Sequence, residues 1–179
     1  NIIDPSCNIS APFVLTQPVC FGLTGDLTYG PISGGQVPYL TTVYEYGTNF
    51  VMATVIATTS SVPISLPDGE YYMTVVDNLG CSAQINDILV TEPLLLTASV
   101  QTDSVTCNGL SNGQAIAIVS GGANPYNYSW ASALSNTTPI NSGLSAGASS
   151  LVVTDANGCI SNTASYTIFE PTPITISTP

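Results

Sequence analysis

The chain is a succession of short apolar or alternating runs, each closed by Gly, Pro, Asn or Asp. Residues 114–120 (Gln-Ala-Ile-Ala-Ile-Val-Ser) are apolar and β-branched and end at Gly121-Gly122, the pattern of a strand running into a turn. Residues 127–130 alternate polar and aromatic side chains. Residues 70–76 and 150–154 are strand-like and run into Asn78-Leu79-Gly80 and Asn157-Gly158. Those turn residues tolerate φ > 0, so each predicts a hairpin, into residues 83–90 and 161–169. No stretch carries an amphipathic helical period longer than two turns. Several short strands in each ~80 residues, with regular turn signals, predict one small sandwich per unit.

The runs recur in order. Cys107-Asn108-Gly109 stands 87 positions after Cys20-Phe21-Gly22, and the same offset relates Gly34-Gly35 to Gly121-Gly122 and Pro38-Tyr39 to Pro125-Tyr126. Beyond that the offset is 78: Leu66-Pro67-Asp68-Gly69 matches Leu144-Ser145-Ala146-Gly147, Asp77 to Cys81 matches Asp155 to Cys159, and Glu92-Pro93 matches Glu170-Pro171. The difference, 87 − 78 = 9, places nine extra residues in the first copy between about Tyr44 and Leu66. Such an insertion belongs in a loop or an edge strand. Cys7, preceded by Asp4 and followed by Pro18, repeats the spacing of Cys81 and Cys159 almost unchanged. The organisation read from this is 1–18 as the tail of a preceding repeat or the first strand of repeat one, 19–93 as repeat one, 94–171 as repeat two, and 172–179 as the start of a following repeat.

Leu-x-x-Gly followed by a strand fits an immunoglobulin-like or fibronectin III-like sandwich, where the chain crosses between sheets before its penultimate strand. Tyr71 is placed to supply a tyrosine-corner hydroxyl; repeat two has Ser149 there. The predicted fold class is all-β, in tandem sandwiches of this kind.

Composition narrows the function classes. There is no Lys, Arg or His, against 11 Asp and Glu, for a net charge of −11. Without cations nucleic-acid binding is excluded; without imidazole so are His-based acid–base catalysis and His metal sites. No lysine is present for a Schiff base or an isopeptide link. Trypsin has no site to cut. A hydrophobic fraction of 44% supports a core and argues against global disorder. No apolar run approaches the ~20 residues needed to cross a bilayer, and no signal-peptide pattern is visible.

Thr106-Cys107-Asn108-Gly109, Ser120-Gly121-Gly122, residues 125–130, Gly143 to Gly147 and Val153 to Cys159 together resemble the SprB repeat of giant surface adhesins of gliding Bacteroidetes. The resemblance covers residues 106–171 strongly and 19–93 more loosely. Copy one has Val43 where copy two has Trp130, and Phe21 where it has Asn108. The resemblance implies an exported cell-surface protein, secreted by the type IX system, whose filaments a membrane motor moves along the cell. The expected partners are neighbouring repeats of the same chain, the gliding or secretion machinery of the outer membrane, and a polysaccharide or solid surface, with no nucleic acid.

Five cysteines without metal-type spacing read as an extracellular disulfide framework with one left over. The simplest pairing is one bridge per copy, Cys20–Cys81 and Cys107–Cys159, with Cys7 unpaired or paired across repeats. Bridges between neighbouring copies, such as Cys20–Cys159 or Cys7–Cys81, are the alternative, because the two cysteines of one sandwich can lie at opposite ends.

The remaining candidates are weighed against ordinary structure. Asp77 and Asp155 precede turns and are expected to accept backbone N–H bonds. Asp26, Asp68 and Asp77 match no known calcium loop, so no metal site is expected. Glu45 and Glu70 are carboxylates, yet nothing in their spacing pairs them for glycoside hydrolysis. No serine has a base, and no cofactor motif is present, so the chain reads as a non-enzyme. Tyr39, Tyr44, Tyr46, Tyr126, Tyr128 and Trp130 are expected to be core, with a sugar-stacking surface as the alternative. Asp103-Ser104-Val105 resembles the O-glycosylation site of exported Bacteroidetes proteins and makes Ser104 a glycan candidate. Asn-x-Ser/Thr at Asn8, Asn127 and Asn136 reads as chance. The leading function is a structural repeat of an adhesin filament for surface adhesion and gliding; the alternative is a carbohydrate-binding module of a secreted multidomain protein.

Overall fold

Residues 8–57, 63–132 and 137–176 are described by a computed structural model in which every regular element is a strand. The chain divides into two units, 1–92 and 93–179. The first holds β1 Phe13–Thr16, β2 Gly25–Tyr29, β3 Tyr39–Glu45, β4 Val51–Ala57, β5 Ile64–Leu66, β6 Gly69–Val76 and β7 Ser82–Val90. They form two antiparallel sheets, β1-β2-β5 and β4-β3-β6-β7. The second holds β8 Thr97–Asp103, β9 Gly113–Ser120, β10 Asn127–Trp130, β11 Ile140–Leu144, β12 Gly147–Thr154 and β13 Ala164–Ile168. Its sheets are β11-β9-β8 and β10-β12-β13.

Both units thus place the first two strands with the one that precedes the crossover, and the rest opposite, as in an immunoglobulin-like or fibronectin III-like sandwich. The strands expected at 70–76, 83–90, 114–120, 127–130 and 150–154 are present, each within three residues at either end. The nine extra residues of copy one appear as β4, which pairs only with β3 and forms the sheet edge. Copy two has no counterpart of β4 among its described residues.

Period-two alternation builds each core. On β6, Tyr71, Met73 and Val75 are buried while Tyr72, Thr74 and Val76 are not. Leu27 and Tyr29 of β2, Val43 of β3 and Ile88 and Val90 of β7 close over them. In copy two Ala115, Trp130, Leu151, Val153, Tyr166 and Ile168 do the same. Trp130 is 1% exposed and Val43 0%, so one core slot holds an indole in copy two and only an isopropyl group in copy one.

The trade is made locally. Trp130 meets Tyr166 edge-on, with ring centroids 5.7 Å apart, and its indole N–H donates to the Thr138 carbonyl at 2.9 Å. The Tyr166 and Ser132 hydroxyls lie 3.0 Å apart, and Asn141 Nδ2 donates to that serine. Copy one has Ile88 in place of Tyr166 and places its bulk at Tyr71. The Tyr71 hydroxyl donates to the Pro67 carbonyl at 3.0 Å, which is the expected tyrosine corner.

Candidate functional site

The motifs that recur in sequence converge on the two ends of each sandwich. At the end where the chain enters, the Gly-Gly loop meets the hairpin turn through a buried aspartate. Asp77 Oδ1 accepts from the Leu79 and Cys81 amides at 2.9 and 2.8 Å, and its Oδ2 from the Gln36 amide at 2.9 Å. Copy two repeats the knot bond for bond. Asp155 Oδ1 accepts from Asn157 and Cys159 at 2.9 and 2.8 Å, and Oδ2 from Ala123 at 2.8 Å. A second link runs beside it, Asn78 N–H to the Gln36 carbonyl and Ala156 N–H to the Ala123 carbonyl.

Glycine is required on the facing loop. Gly34, Gly35, Gly121 and Gly122 all have φ between 64° and 77°, where a Cβ is strained. A Cβ on Gly35 would stand 2.7 Å from Asp77 Oδ2, and one on Gly122 2.8 Å from Asp155 Oδ2. The Pro-Tyr that follows closes the loop, since the Tyr39 hydroxyl donates to Gly34 and the Tyr126 hydroxyl to Gly121.

The knot tunes its carboxylates. For Asp77, burial acts to raise the pKa, but the amides of Gln36, Cys81, Leu79 and Gly80 together hold it below the ordinary value. For Asp155 the Ala123 amide lowers it most, against burial, with further help from Cys159, Asn157 and Gly158. These aspartates are turn caps, as expected, with lone pairs committed to backbone N–H groups.

At the opposite end the Cys-x-Gly turn is held by the Glu-Pro pair. Glu92 accepts from Gly22 N–H at 2.6 Å and Glu170 from Gly109 N–H at 3.0 Å. Asn108 Nδ2 adds a bond to the Pro171 carbonyl. Each copy therefore carries one cysteine at its entry knot, Cys81 or Cys159, and one at its exit turn, Cys20 or Cys107. The eight residues of β6 or β12 run between these ends, about 25 Å at the rise of a strand.

That separation corrects the simplest disulfide pairing. Two Cα atoms more than ~7 Å apart cannot be bridged, so neither Cys20–Cys81 nor Cys107–Cys159 can form within a sandwich. Cys20, Cys81 and Cys159 are each disulfide-bonded, whereas Cys107 is a free, exposed thiol. Cys7 lies outside the described residues, as does Asn136.

The other candidates separate. Asp26 accepts from the Ser65 hydroxyl and Asp68 from the Glu92 amide, both near the exit end, away from Asp77. Among the described residues no three His, Cys, Asp or Glu side chains converge as metal ligands. Glu45 pairs with Tyr71 across the sheet, so the alternation of β6 sends Glu70 to the opposite face and the two carboxylates do not confront each other. Tyr39 and Trp130 are core; Tyr44, Tyr126 and Tyr128 are half-buried, and Tyr46 is exposed. Ser104 is exposed directly after β8. What the motif list alone did not reveal is that Gly-Gly and Asp-x-x-x-Cys meet in space. The signal available was their joint recurrence in both copies.

Each of the two units is an antiparallel β-sandwich of the immunoglobulin-like or fibronectin III-like kind. Residues 99–134, from within β8 to just past β10, match the SprB repeat. Similar solved structures include the fibronectin(III)-like modules of Clostridium thermocellum CbhA, at 13% identity and TM-score 0.39 over 90% of this chain and 93% of that one. The mouse nectin-like molecule 4 ectodomain, Ig1–Ig3, is 12% identical with TM-score 0.38 over 94% and 68%. No curated protein matches. SprB repeats and sandwich modules of this type are typically non-catalytic, and the repeat together with the disulfide bonds points to a surface or secreted protein.

Proposed function

We propose that the chain is a non-catalytic length of an extracellular cell-surface adhesin filament used in surface adhesion and gliding, in which consecutive sandwiches are stapled covalently. The observation that carries the reading is the placing of one cysteine at each end of each sandwich, with three bonded and Cys107 free. An exit-turn cysteine is suited to the entry-knot cysteine of the next copy. Cys20 is thereby assigned to Cys159 and Cys107 to the knot cysteine of a further repeat; Cys81 is assigned separately to Cys7, the alternative pairing named above.

Such a staple gives a filament tensile economy. A pull applied to residues 1 and 179 would pass from Cys20 to Cys159 and spare the chain between them. The fully unfolded chain would then extend to about 140 Å with the bridge intact, against about 600 Å for the reduced chain, at ~3.4 Å per residue. The partners of this reading are neighbouring repeats, the outer-membrane gliding or secretion machinery, and a polysaccharide or solid surface. An O-glycan is assigned to Ser104; an intact mass without any addition overturns that assignment.

Non-reducing peptide mapping tests the staple. Chymotrypsin replaces trypsin and separates Cys7 from Cys20 after Phe13. A Cys20–Cys159 peptide pair is the expected product, and a Cys20–Cys81 pair would defeat the reading.

A further inference from the structure

The two copies part company on the outer face of the larger sheet. In copy one Tyr44 and Tyr72 stack with centroids 4.9 Å apart and planes 13° from parallel. Tyr46 stands edge-on to Tyr72 at 6.2 Å, and the Tyr72 hydroxyl is tied to Asn49 Oδ1 at 2.9 Å. Tyr72, itself stacked on Tyr44, thus braces Tyr46, which remains 61% exposed. Bracing removes the rotamer freedom that a contact residue otherwise loses on binding.

Beside Tyr46 lies a cleft of about 730 Å³ lined by Glu70, Gln84, Asn86, Asp87 and Leu89. A bulge makes it. Tyr71 pairs with Ile88 and Met73 with Ile85, so Asn86 and Asp87 together oppose Tyr72 alone. Asp87 adopts φ 61°. A bulge of this kind breaks the in–out alternation and re-aims side chains, and it is over-represented beside functional sites.

The chemistry of the lining selects a ligand class. Two carboxylates accept hydrogen bonds and two amides both donate and accept, while the chain contains no cation. Anionic ligands have nothing to pair with and meet two like charges. A polyhydroxylated ring with one apolar face satisfies both parts of the site: hydroxyls on Glu70, Gln84, Asn86 and Asp87, C–H bonds on the tyrosine ring. We infer that this cleft of copy one binds a neutral pyranose glycan, with Tyr46 as the stacking platform. The inference rests on the adhesin reading and names what one repeat grips.

Copy two supplies the internal control. The β12–β13 register runs unbroken from Gly147 to Leu151, and Ala148 and Ser150 replace Glu70 and Tyr72. Among its described residues it has neither the bulge nor the braced rings.

The test is affinity electrophoresis of the whole two-copy chain through gels containing a soluble β-glucan, a mannan or a galactan, with alginate as the acidic control. At least one neutral glycan is expected to retard the chain and alginate none. Tyr46→Ala and Asp87→Gly are each expected to weaken retention at least tenfold. Asp87→Gly suits the backbone at φ 61°, so an unchanged melting temperature separates lost binding from lost fold. Free migration in all three neutral gels, retention by alginate alone, or undiminished retention of Tyr46→Ala would overturn the inference. The disulfide map decides the array reading separately, so failure here leaves that result standing.

Discussion

Copy one and copy two share their ends and differ in their middles. The entry knots agree bond for bond, Asp77 with Gln36, Leu79 and Cys81, Asp155 with Ala123, Asn157 and Cys159. The cores do not: Val43, Tyr71 and Ile88 occupy the places of Trp130, Ser149 and Tyr166. The difference follows from the physics of each region. A knot of charge-assisted hydrogen bonds works at one geometry, and a partner lost there leaves a buried polar group unpaired. A core requires only that total volume and patterning be kept, so bulk can move from one strand to its neighbour.

The strongest way to break this comparison is to empty the shared core slot. Trp130→Ala removes a fully buried indole together with the hydrogen bond it gives the Thr138 carbonyl; the expected cost to copy two is about 3–5 kcal/mol. Val43→Ala at the same slot of copy one should cost about 2 kcal/mol, the value of the methyl groups removed. Urea unfolding followed by amide hydrogen exchange reads the two copies separately. The chain has a single tryptophan, so in the Val43→Ala variant indole fluorescence reports copy two alone and should keep its wild-type midpoint. A shift of that midpoint would show that the cores are coupled.

A smaller effect is expected at the knots, and it should be equal in the two copies. Asp155→Asn presents an N–H where Ala123 or Cys159 already donates, so copy two loses stability, by less than Trp130→Ala; Asp77→Asn should do the same to copy one. Both aspartates have folded pKa values below the ordinary 3.8. Their contribution is therefore complete above that value and is lost as pH falls through the lower folded values. Wild-type stability should drop as pH is taken below about 4, and the Asp77→Asn/Asp155→Asn double variant should show a flatter profile. Parallel acid profiles for the two proteins would remove the knots from the account of stability.

The sandwich was legible because alternation and turn residues are local. The strand at 70–76 and the hairpin turn at Asn78-Leu79-Gly80 follow from patterns a few residues long, whereas the insertion that forms β4 is marked by the change of repeat offset, which leaves loop and edge strand both open. The tyrosine corner was legible too, since Tyr71 and Pro67 are four residues apart. Contacts between distant segments were not. Gln36 and Asp77 are 41 positions apart, and no spacing rule brings them together before the sheets are paired. The cysteines show the same limit: pairing by copy was the simplest arithmetic, and only the placement of Cys20 and Cys81 at opposite ends of β6 rules it out. The bulge at Asn86–Asp87 left no trace at all, because neither residue is the glycine that usually marks one.

The finest division between the copies is one hydroxyl. Tyr71→Phe deletes the bond to the Pro67 carbonyl and nothing else, since the ring keeps its place among Met73, Ile88 and Val43. Copy one should lose about 1 kcal/mol, the usual net worth of such a bond, while exchange protection in copy two stays unchanged. The reverse graft should not help. Ser149→Tyr restores the residue of the corner, but copy two already spends that volume on Trp130 and Tyr166. A second large ring overpacks the site and should destabilise copy two by about 1–3 kcal/mol. If Ser149→Tyr instead stabilised copy two, the corner would be separable from the core that surrounds it, and the exchange of bulk between strands would lose its explanation.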